Sequence, residues 1–443
     1  MLATIEQTRL KVSKNTEAKR KSQLGQFLTP ARTAQFMANL FTSKGSIDCR
    51  LLDAGAGIGS LSCAFLERCI ADELTFRKVA VTAFELDSLI HKELNDSLSS
   101  YNNKLPIAYE ILGDDFIEQA INKIQFDFGN GFTHAILNPP YKKISSDSRH
   151  RLLLRQVGIE TVNLYSAFVA LALAMMEPGG QVVAIIPRSF CNGPYYRPFR
   201  DFIFERAAIR HLHLFSSRCK AFKDDDVLQE NIIILLERGG QQGDVTVTTS
   251  TDDGFADLVT HTHPFNRIVF PDDSERFIHV PTSLELNAIE LSPAIRCSLD
   301  DISVKVSTGP VVDFRLKEHL RGMPEPGAVP LLYPAHFAEK NIEWPKLGIK
   351  KPNAIQRNSE TEKWLYPNGF YCVVRRVGLT DTTLHADIGN SAINQFAQQP
   401  LLIGFGMRAF AVIPTARLCR RGAVVAVWAL IAFRFDFKPY RFF

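Results

Sequence analysis

The sequence predicts an α/β protein: a doubly wound, mainly parallel sheet followed by a second, irregular α+β domain. Short apolar runs alternate with helical patterns through residues 1–240, which is how βαβ units read. Beyond that point the pattern breaks into short strands, prolines and basic or aromatic islands such as WPKLGIKKPNAIQRN (344–358). The length, 443 residues, also exceeds what one core usually serves.

The elements follow in order. Residues 1–23 are charged and read as a helical or frayed segment. In GQFLTPARTAQFMANLF (25–41), Thr29 reads as an N-cap, Pro30 as the first helical residue, and Phe36, Met37, Leu40 and Phe41 as an apolar face. CRLLDAGAGIGSLSCAFLERC (49–69) reads as strand, glycine turn and helix. VAVTAFELD (79–87), IAYEILGDDF (107–116) and FTHAILNPPY (132–141) supply three further strands. Residues 163–177 form an apolar helix. GGQVVAIIPRSF (179–190), IRHLHLF (209–215) and NIIILLER (231–238) are later strands, and GGQQGD (239–244) is a turn or short linker. No internal repeats are visible. The resulting division is a charged segment at 1–23, a first domain at 24–240, a second at 241–396 and an atypical tail at 397–443.

Bulk composition excludes several classes. Hydrophobic residues make up 46% and charged residues 22%, ordinary for a globular protein. Lys+Arg is 51 against 47 Asp+Glu, so any nucleic-acid binding must come from a local patch. The eight cysteines show neither Cys-x-x-Cys nor zinc spacing, so they read as buried reduced thiols and no metal is expected. The N-terminus lacks a signal peptide's apolar core, and the apolar run 423–433 is too short to span a bilayer. The expected location is cytoplasmic, with no membrane partner and a monomeric chain.

DAGAGIGS (53–60) sets glycines at 55, 57 and 59 after a buried strand. Glycine lets the backbone turn tightly and approach a ligand. The spacing matches neither a triphosphate loop nor G-x-G-x-x-G. Glu85, at the end of the next strand, stands where an acid holds a ribose diol. Asp115 with Phe116 could bond and stack an adenine, with Asp114 as the substitute, or the acid could cap the following helix. Asp53 could face a ligand ammonium. Acids without a phosphate-binding lysine suit S-adenosyl-L-methionine better than NAD or ATP.

Asn138 follows the fourth strand at the edge where open α/β sheets place ligands. Pro139 and Pro140 fix φ and offer carbonyls without N–H groups. An amide oxygen and a backbone carbonyl in a rigid frame suit an exocyclic amino group, and Tyr141 adds a flat surface. Two acceptors gripping the hydrogens of an aryl amine would expose its lone pair to a sulfonium methyl.

The order GQFLTP, DAGAGIG, FELD, GDDF, NPPY over roughly residues 22–376 resembles the γ-class adenine-N6 DNA methyltransferases of restriction–modification systems. That resemblance implies a Rossmann-like, S-adenosylmethionine-dependent methyltransferase domain, a C-terminal target-recognition domain, double-stranded DNA with a flipped target base, and a cognate restriction endonuclease acting on the same site. It places Thr29 and Pro30 at the methionine end of the cofactor, Asp53, Ala54, Gly55 and Gly57 in the first-strand turn, Glu85 on the ribose, and Asp115 and Phe116 at the adenine. Asn138 and Pro139 would accept from the target N6, with Pro140 completing the rigid frame. Tyr141 would stack on the base, with Phe222 as a second aromatic. Expected phosphate contacts are Lys142, Lys143, Arg149 and Arg151 near the site, and Lys346, Lys350, Lys351 and Arg357 beyond it. STGPVVDFR (307–315) and the KKPNAIQRN island resemble blocks of the recognition domain.

From residue 397 onward the resemblance stops. Seven Lys/Arg (408, 417, 420, 421, 434, 438, 441) stand against Asp436 alone. The expectation is an altered reading frame that impairs DNA recognition; the competing reading is a basic DNA-binding tail. Asn-Pro-Pro-Tyr also occurs in enzymes that methylate RNA amino groups or a protein glutamine. A methyltransferase remnant that only binds DNA is a further alternative. A fused nuclease is disfavoured because Glu17 and Lys19 leave no room for one before them.

Overall fold

A computed structural model describes residues 2–15, 28–42, 48–126, 129–216, 230–286, 304–308, 311–338, 341–365, 370–375, 402–403 and 407–412. The chain divides into two compact units, Met1–Leu284 and Glu285–Phe443.

The first unit is built on a nine-stranded sheet. Its strands are β1 (Asp48–Ala54), β2 (Lys78–Phe84), β3 (Ile107–Leu112), β4 (Phe132–Leu137), β5 (Met176–Pro187), β6 (Ala207–Phe215), β7 (Asn231–Arg238), β8 (Val245–Ser250) and β9 (Val259–His263). The spatial order is β3-β2-β1-β4-β5-β7-β6-β8-β9. Strands β1 to β5 run parallel, and β7 is antiparallel to both β5 and β6. The order reverses direction at β1, so the carboxyl ends of β1 and β4 flank a crevice, where open sheets bind ligands.

Period-two alternation divides the apolar residues between two faces. Leu52, Ala135, Val182, Ala184 and Ile234 enter one core layer. Leu51, Ile136, Val183, Ile185 and Ile233 enter the other. The helices covering these layers include α1 (Leu2–Asn15), α2 (Ala31–Asn39), α3 (Ser60–Ile70), α4 (His91–Ser99), α5 (Phe116–Phe126), α6 (Arg149–Gln156), α7 (Leu164–Ala174) and α8 (Arg197–Arg206). Helix α7 is buried almost all round, from Tyr165 to Leu173, which is why its sequence lacks a polar face.

Several sequence expectations need correction. Helix α2 begins at Ala31, with Pro30 in the N-cap position. Its first N–H is satisfied from α1, since Ala31 N donates to Glu6 Oε2 at 2.8 Å. Ile5 and Arg9 of α1 are buried, so the start of the chain is part of the first unit rather than a separate segment. The apolar helix expected over 163–177 stops at Ala174, and β5 begins at Met176. Residues 239–244 are a turn within the sheet, because β8 pairs with β6 in parallel. The unit boundary therefore lies at Leu284/Glu285 rather than at 240/241.

The second unit contains a four-stranded sheet, Leu320–Arg321, Ala354–Gln356, Ala328–Leu332 and Leu402–Ile403 in spatial order, and a three-stranded antiparallel sheet. In the latter, Met407–Val412 lies between Val304–Thr308 and Phe370–Arg375. A small core gathers Val311, Val329, Leu331, Tyr333 and Ile355. The two blocks singled out in the sequence meet here: Lys351 pairs with Asp313, and Asp313 accepts from Tyr333 Oη at 2.6 Å. Buried Asn353 donates to Gly322 O and Lys346 O, and accepts from Lys346 N at 2.7 Å. Apart from 402–403 and 407–412, the tail at 397–443 lies outside the described residues, and so does Phe222.

Candidate active site

Sheet register brings the motifs together. The β1–β4 pairing of Leu51 with His134 and Leu52 with Ala135, continued past the strand ends, sets Gly55 opposite Asn138. The β1–β2 pairing of Ala54 with Phe84 sets Gly55 beside Glu85. Gly55 and Asn138, 83 residues apart in sequence, thus reach one sheet edge because parallel strands end together.

At that edge lies a cavity of about 250 Å³. Glu85 and Asp115 line it, with Thr29, Gly55, Gly57, Phe116, Asn138 and Pro140. The glycines bend around it with φ of +81° at Gly55 and +59° at Gly57, a region that disfavours a Cβ. A Cβ at Gly57 would also sit 2.8 Å from Leu28 Cδ2.

The acids are held in distinct ways. Glu85 Oε2 accepts from Gly57 N at 2.7 Å and Oε1 from Asp87 N at 2.8 Å. Burial pushes the Glu85 carboxyl up, and those two N–H groups oppose the shift. Asp115 is the N-cap of α5: its Oδ1 accepts from Ile117 N at 2.9 Å and Glu118 N at 3.2 Å. Its Oδ2 lies 3.0 Å from His150 Nε2. Asp53 behaves otherwise than expected. Fully buried, it turns away from the cavity, and its Oδ2 accepts from Ser62 N at 3.2 Å and Ser62 Oγ at 2.6 Å. Burial pushes its carboxyl up to about 7, against the Ser62 hydrogen bonds. Its Oδ1 has no hydrogen-bond partner among the described residues. Asp53 thus holds the start of α3 instead of facing a ligand ammonium, and Ala54 and Pro30 do not line the cavity either.

Asn138 is half-buried at the cavity wall. Its Nδ2 donates to Thr29 Oγ1 at 3.0 Å, so Thr29 serves as a partner of Asn138 and not as a helix cap. Tyr141 Oη lies 3.1 Å from both Asn138 Oδ1 and Ile185 O. One phenolic hydrogen cannot serve both acceptors fully, and an amide oxygen has two lone pairs. Thr29 and Tyr141 fix the plane of the Asn138 amide from both ends. Burial pushes the Tyr141 phenol up, so it stays a donor. The Tyr141 ring meets Tyr165 edge-on at 6.3 Å, and Pro139 is buried behind the turn.

The expected phosphate contacts divide. Lys142 and Lys143 are exposed beside the site, and Lys142 lines the cavity. Arg149 pairs with Glu118 at 2.9 Å and Arg151 with Glu160. In the second unit, Lys346 pairs with Glu343, Lys351 with Asp313 and Arg357 with Glu362, while Lys350 is exposed. Of these, the Arg357–Glu362 pair is exposed on both sides, and such pairs contribute about 0–1 kcal/mol.

A family model described as Eco57I restriction-modification methylase matches residues 12–222. The type II methyltransferase M.BsuBI of Bacillus subtilis is 51% identical over 382 residues, covering 85% of this chain and 75% of that protein. The chain belongs to the restriction–modification methyltransferases. The type II methyltransferase M.PstI of Providencia stuartii is 39% identical, covering 81% of this chain and 71% of that protein. A tRNA1(Val) (adenine(37)-N6)-methyltransferase of Shewanella woodyi is 26% identical over 200 residues, 42% of this chain and 76% of that protein.

The lining residues of this methyltransferase that escaped sequence reasoning include Leu86, His150, Leu164 and Phe168. Leu164 and Phe168 lie four apart on α7 and so share a face, yet in a uniformly apolar helix they read as core. Phe168 packs 4.7 Å from Phe116, which meets Phe84 edge-on at 5.1 Å. Nothing in the sequence marks His150, because its partner is 35 residues away.

Proposed function

We propose that the chain transfers a methyl group from S-adenosyl-L-methionine to N6 of an adenine flipped out of duplex DNA, protecting host DNA from a cognate restriction endonuclease. The observation that carries this reading is Asn138. Its amide is clamped between Thr29 and Tyr141 and opens on the same cavity as Glu85, Asp115 and Phe116. The relative named for adenine-N6 methylation supports the choice of target atom.

The lining fits the cofactor. Glu85 suits the ribose hydroxyls, Phe116 and Phe168 offer apolar faces to the adenine, and Asp115 accepts from its amino group. Thr29, Gly55 and Gly57 shape the other end. When bound, the cofactor supplies an electrophilic methyl on a sulfonium. The chain's own residues do the rest. Asn138 Oδ1 and the Pro139 carbonyl accept the two hydrogens of the target amine, which directs its lone pair at the methyl. Pro140 stiffens that frame, and Tyr141 stacks on the base. Orientation and fixed dipoles account for most of the acceleration, since no reorganisation is needed as the bond forms. The amine's surplus proton leaves to solvent after transfer.

Flipping a paired base costs a few kcal/mol. Lys142 and Lys143 beside the site, Arg149 on α6 and Lys350 and Lys351 in the second unit offset part of that cost through phosphates. The second unit, on this reading, recognises the target sequence. No helix among the described residues is long and apolar enough to cross a membrane, and the reading is that of a cytoplasmic monomer.

The test offers the full chain labelled S-adenosylmethionine with duplex DNA, transfer RNA and a glutamine-bearing release factor in competition. Label should enter duplex DNA alone, as N6-methyladenine. Label in RNA or protein would replace the proposed substrate, and N4-methylcytosine would replace the target atom.

A further inference from the structure

His150 and Asp115, which both line the cavity, make a contact that the reaction does not require. His150 lies at the second position of α6, whose N-cap Ser148 accepts from Arg151 N at 3.3 Å. Its Nε2 is 3.0 Å from Asp115 Oδ2, and its ring lines the cavity. The other oxygen, Oδ1, is committed to the first turn of α5 through Ile117 N and Glu118 N. The carboxylate is thus fixed on both sides, by a helix cap and by an imidazole. Oδ2 is the oxygen left to face a ligand, and one of its lone pairs is already used.

We infer that His150 is a positioning residue that makes the cofactor pocket selective for a 6-aminopurine; this rests on the S-adenosylmethionine reading above. With its Nε2–H donating to Oδ2, His150 holds Asp115 as a pure acceptor aimed into the cavity. An acceptor so held attracts an amino group and repels the 6-oxo oxygen of a hypoxanthine. Without His150 the carboxylate keeps its helix cap but can rotate Oδ2 toward solvent. Both side chains are about one-third exposed, 33% for His150 and 31% for Asp115, so the discrimination is modest, roughly tenfold for one partly solvated charge-assisted bond.

The segment that carries His150 is tied to the target-binding turn by backbone bonds. Leu164 N donates to Lys142 O at 2.8 Å and Ile144 N to Val162 O at 2.8 Å. The selective contact therefore belongs to the loop that leaves the Asn-Pro-Pro-Tyr turn, not to the cofactor strands.

The test measures equilibrium binding of S-adenosylhomocysteine and S-inosylhomocysteine to the full chain by calorimetry, without DNA or turnover. Wild type should prefer the adenosyl ligand about tenfold. His150→Ala should weaken adenosyl binding by about that factor and leave inosyl binding unchanged, and His150→Gln, which keeps a donor, should restore most of the preference. Equal weakening of both ligands, or no change in either, would overturn the role of His150 while leaving the cofactor reading intact. Wild type that binds neither ligand would overturn both. Thermal melting of each variant reports whether it has folded.

Discussion

Asn138 has its amide nitrogen engaged by Thr29 and its oxygen approached by Tyr141. At that residue the reading is most exposed to test. Asn138→Ala should lower kcat on the order of 10²–10³-fold, as loss of one preorganised polar group does, with the cofactor dissociation constant within about twofold of wild type. Thr29→Val should show a weaker version of the same loss, measured the same way. Asp53 makes a separate prediction, about stability. Its folded carboxyl titrates near 7 against an ordinary 3.8, so between those values the folded state binds the extra proton. Stability therefore falls as pH rises from about 4 to about 7 and then levels. Asp53→Asn should remove that slope: the gap between variant and wild-type melting temperatures should shift in the variant's favour up to about pH 7 and hold above it. A pH-independent gap would contradict the assignment. Residue types at strand ends made Asn138, Glu85 and Phe116 legible in the sequence. Side-chain direction was not legible: Asp53 and Glu85 end neighbouring strands, yet one turns into α3 and the other into the cavity.

The elements that build the site are a glycine turn and two helix starts. In the turn, Gly57 N also donates to Glu85, so its left-handed φ and the position of the Glu85 carboxylate depend on each other. Gly57→Ala adds a strained φ and a contact with Leu28. It should cost about 1–2 kcal/mol locally and weaken S-adenosylhomocysteine binding about tenfold in a titration, while Gly158→Ala, with φ +74° and nothing within 4 Å, should leave binding unchanged. Most of the strands were readable because their apolar runs stop at a glycine, an acid, a proline or Asn138. The boundary of α7 was not, since its sequence passes from buried helix to buried strand without a polar break. Pro30 was misplaced for a related reason. The cap on α2 comes from Glu6, on a distant helix, and local pattern cannot show a partner supplied by tertiary structure.

For the whole molecule, the first unit was legible as far as β7 and then underestimated, because β8 extends the sheet past a turn that reads like a linker. The second unit had no nameable pattern, as its strands are two to six residues long and its core is small. Its sequence blocks prove to be structural joints: Asn353 ties three segments, and Asn353→Ala should destabilise this unit by about 2–3 kcal/mol through stranded buried partners, read as earlier proteolysis of residues 285–443. Met407–Val412 is the central strand of a three-stranded sheet. Truncation after residue 396 should therefore remove DNA methylation while S-adenosylhomocysteine binding persists. The central claim, an aryl amine gripped at Asn138, is tested most directly by nucleoside analysis of DNA from cells expressing wild type or Asn138→Ala, with cofactor binding measured on the purified chains. The account predicts abundant N6-methyladenine with wild type and a strongly reduced level with the variant, both binding cofactor alike. Wild-type and variant DNA carrying equal N6-methyladenine would contradict it.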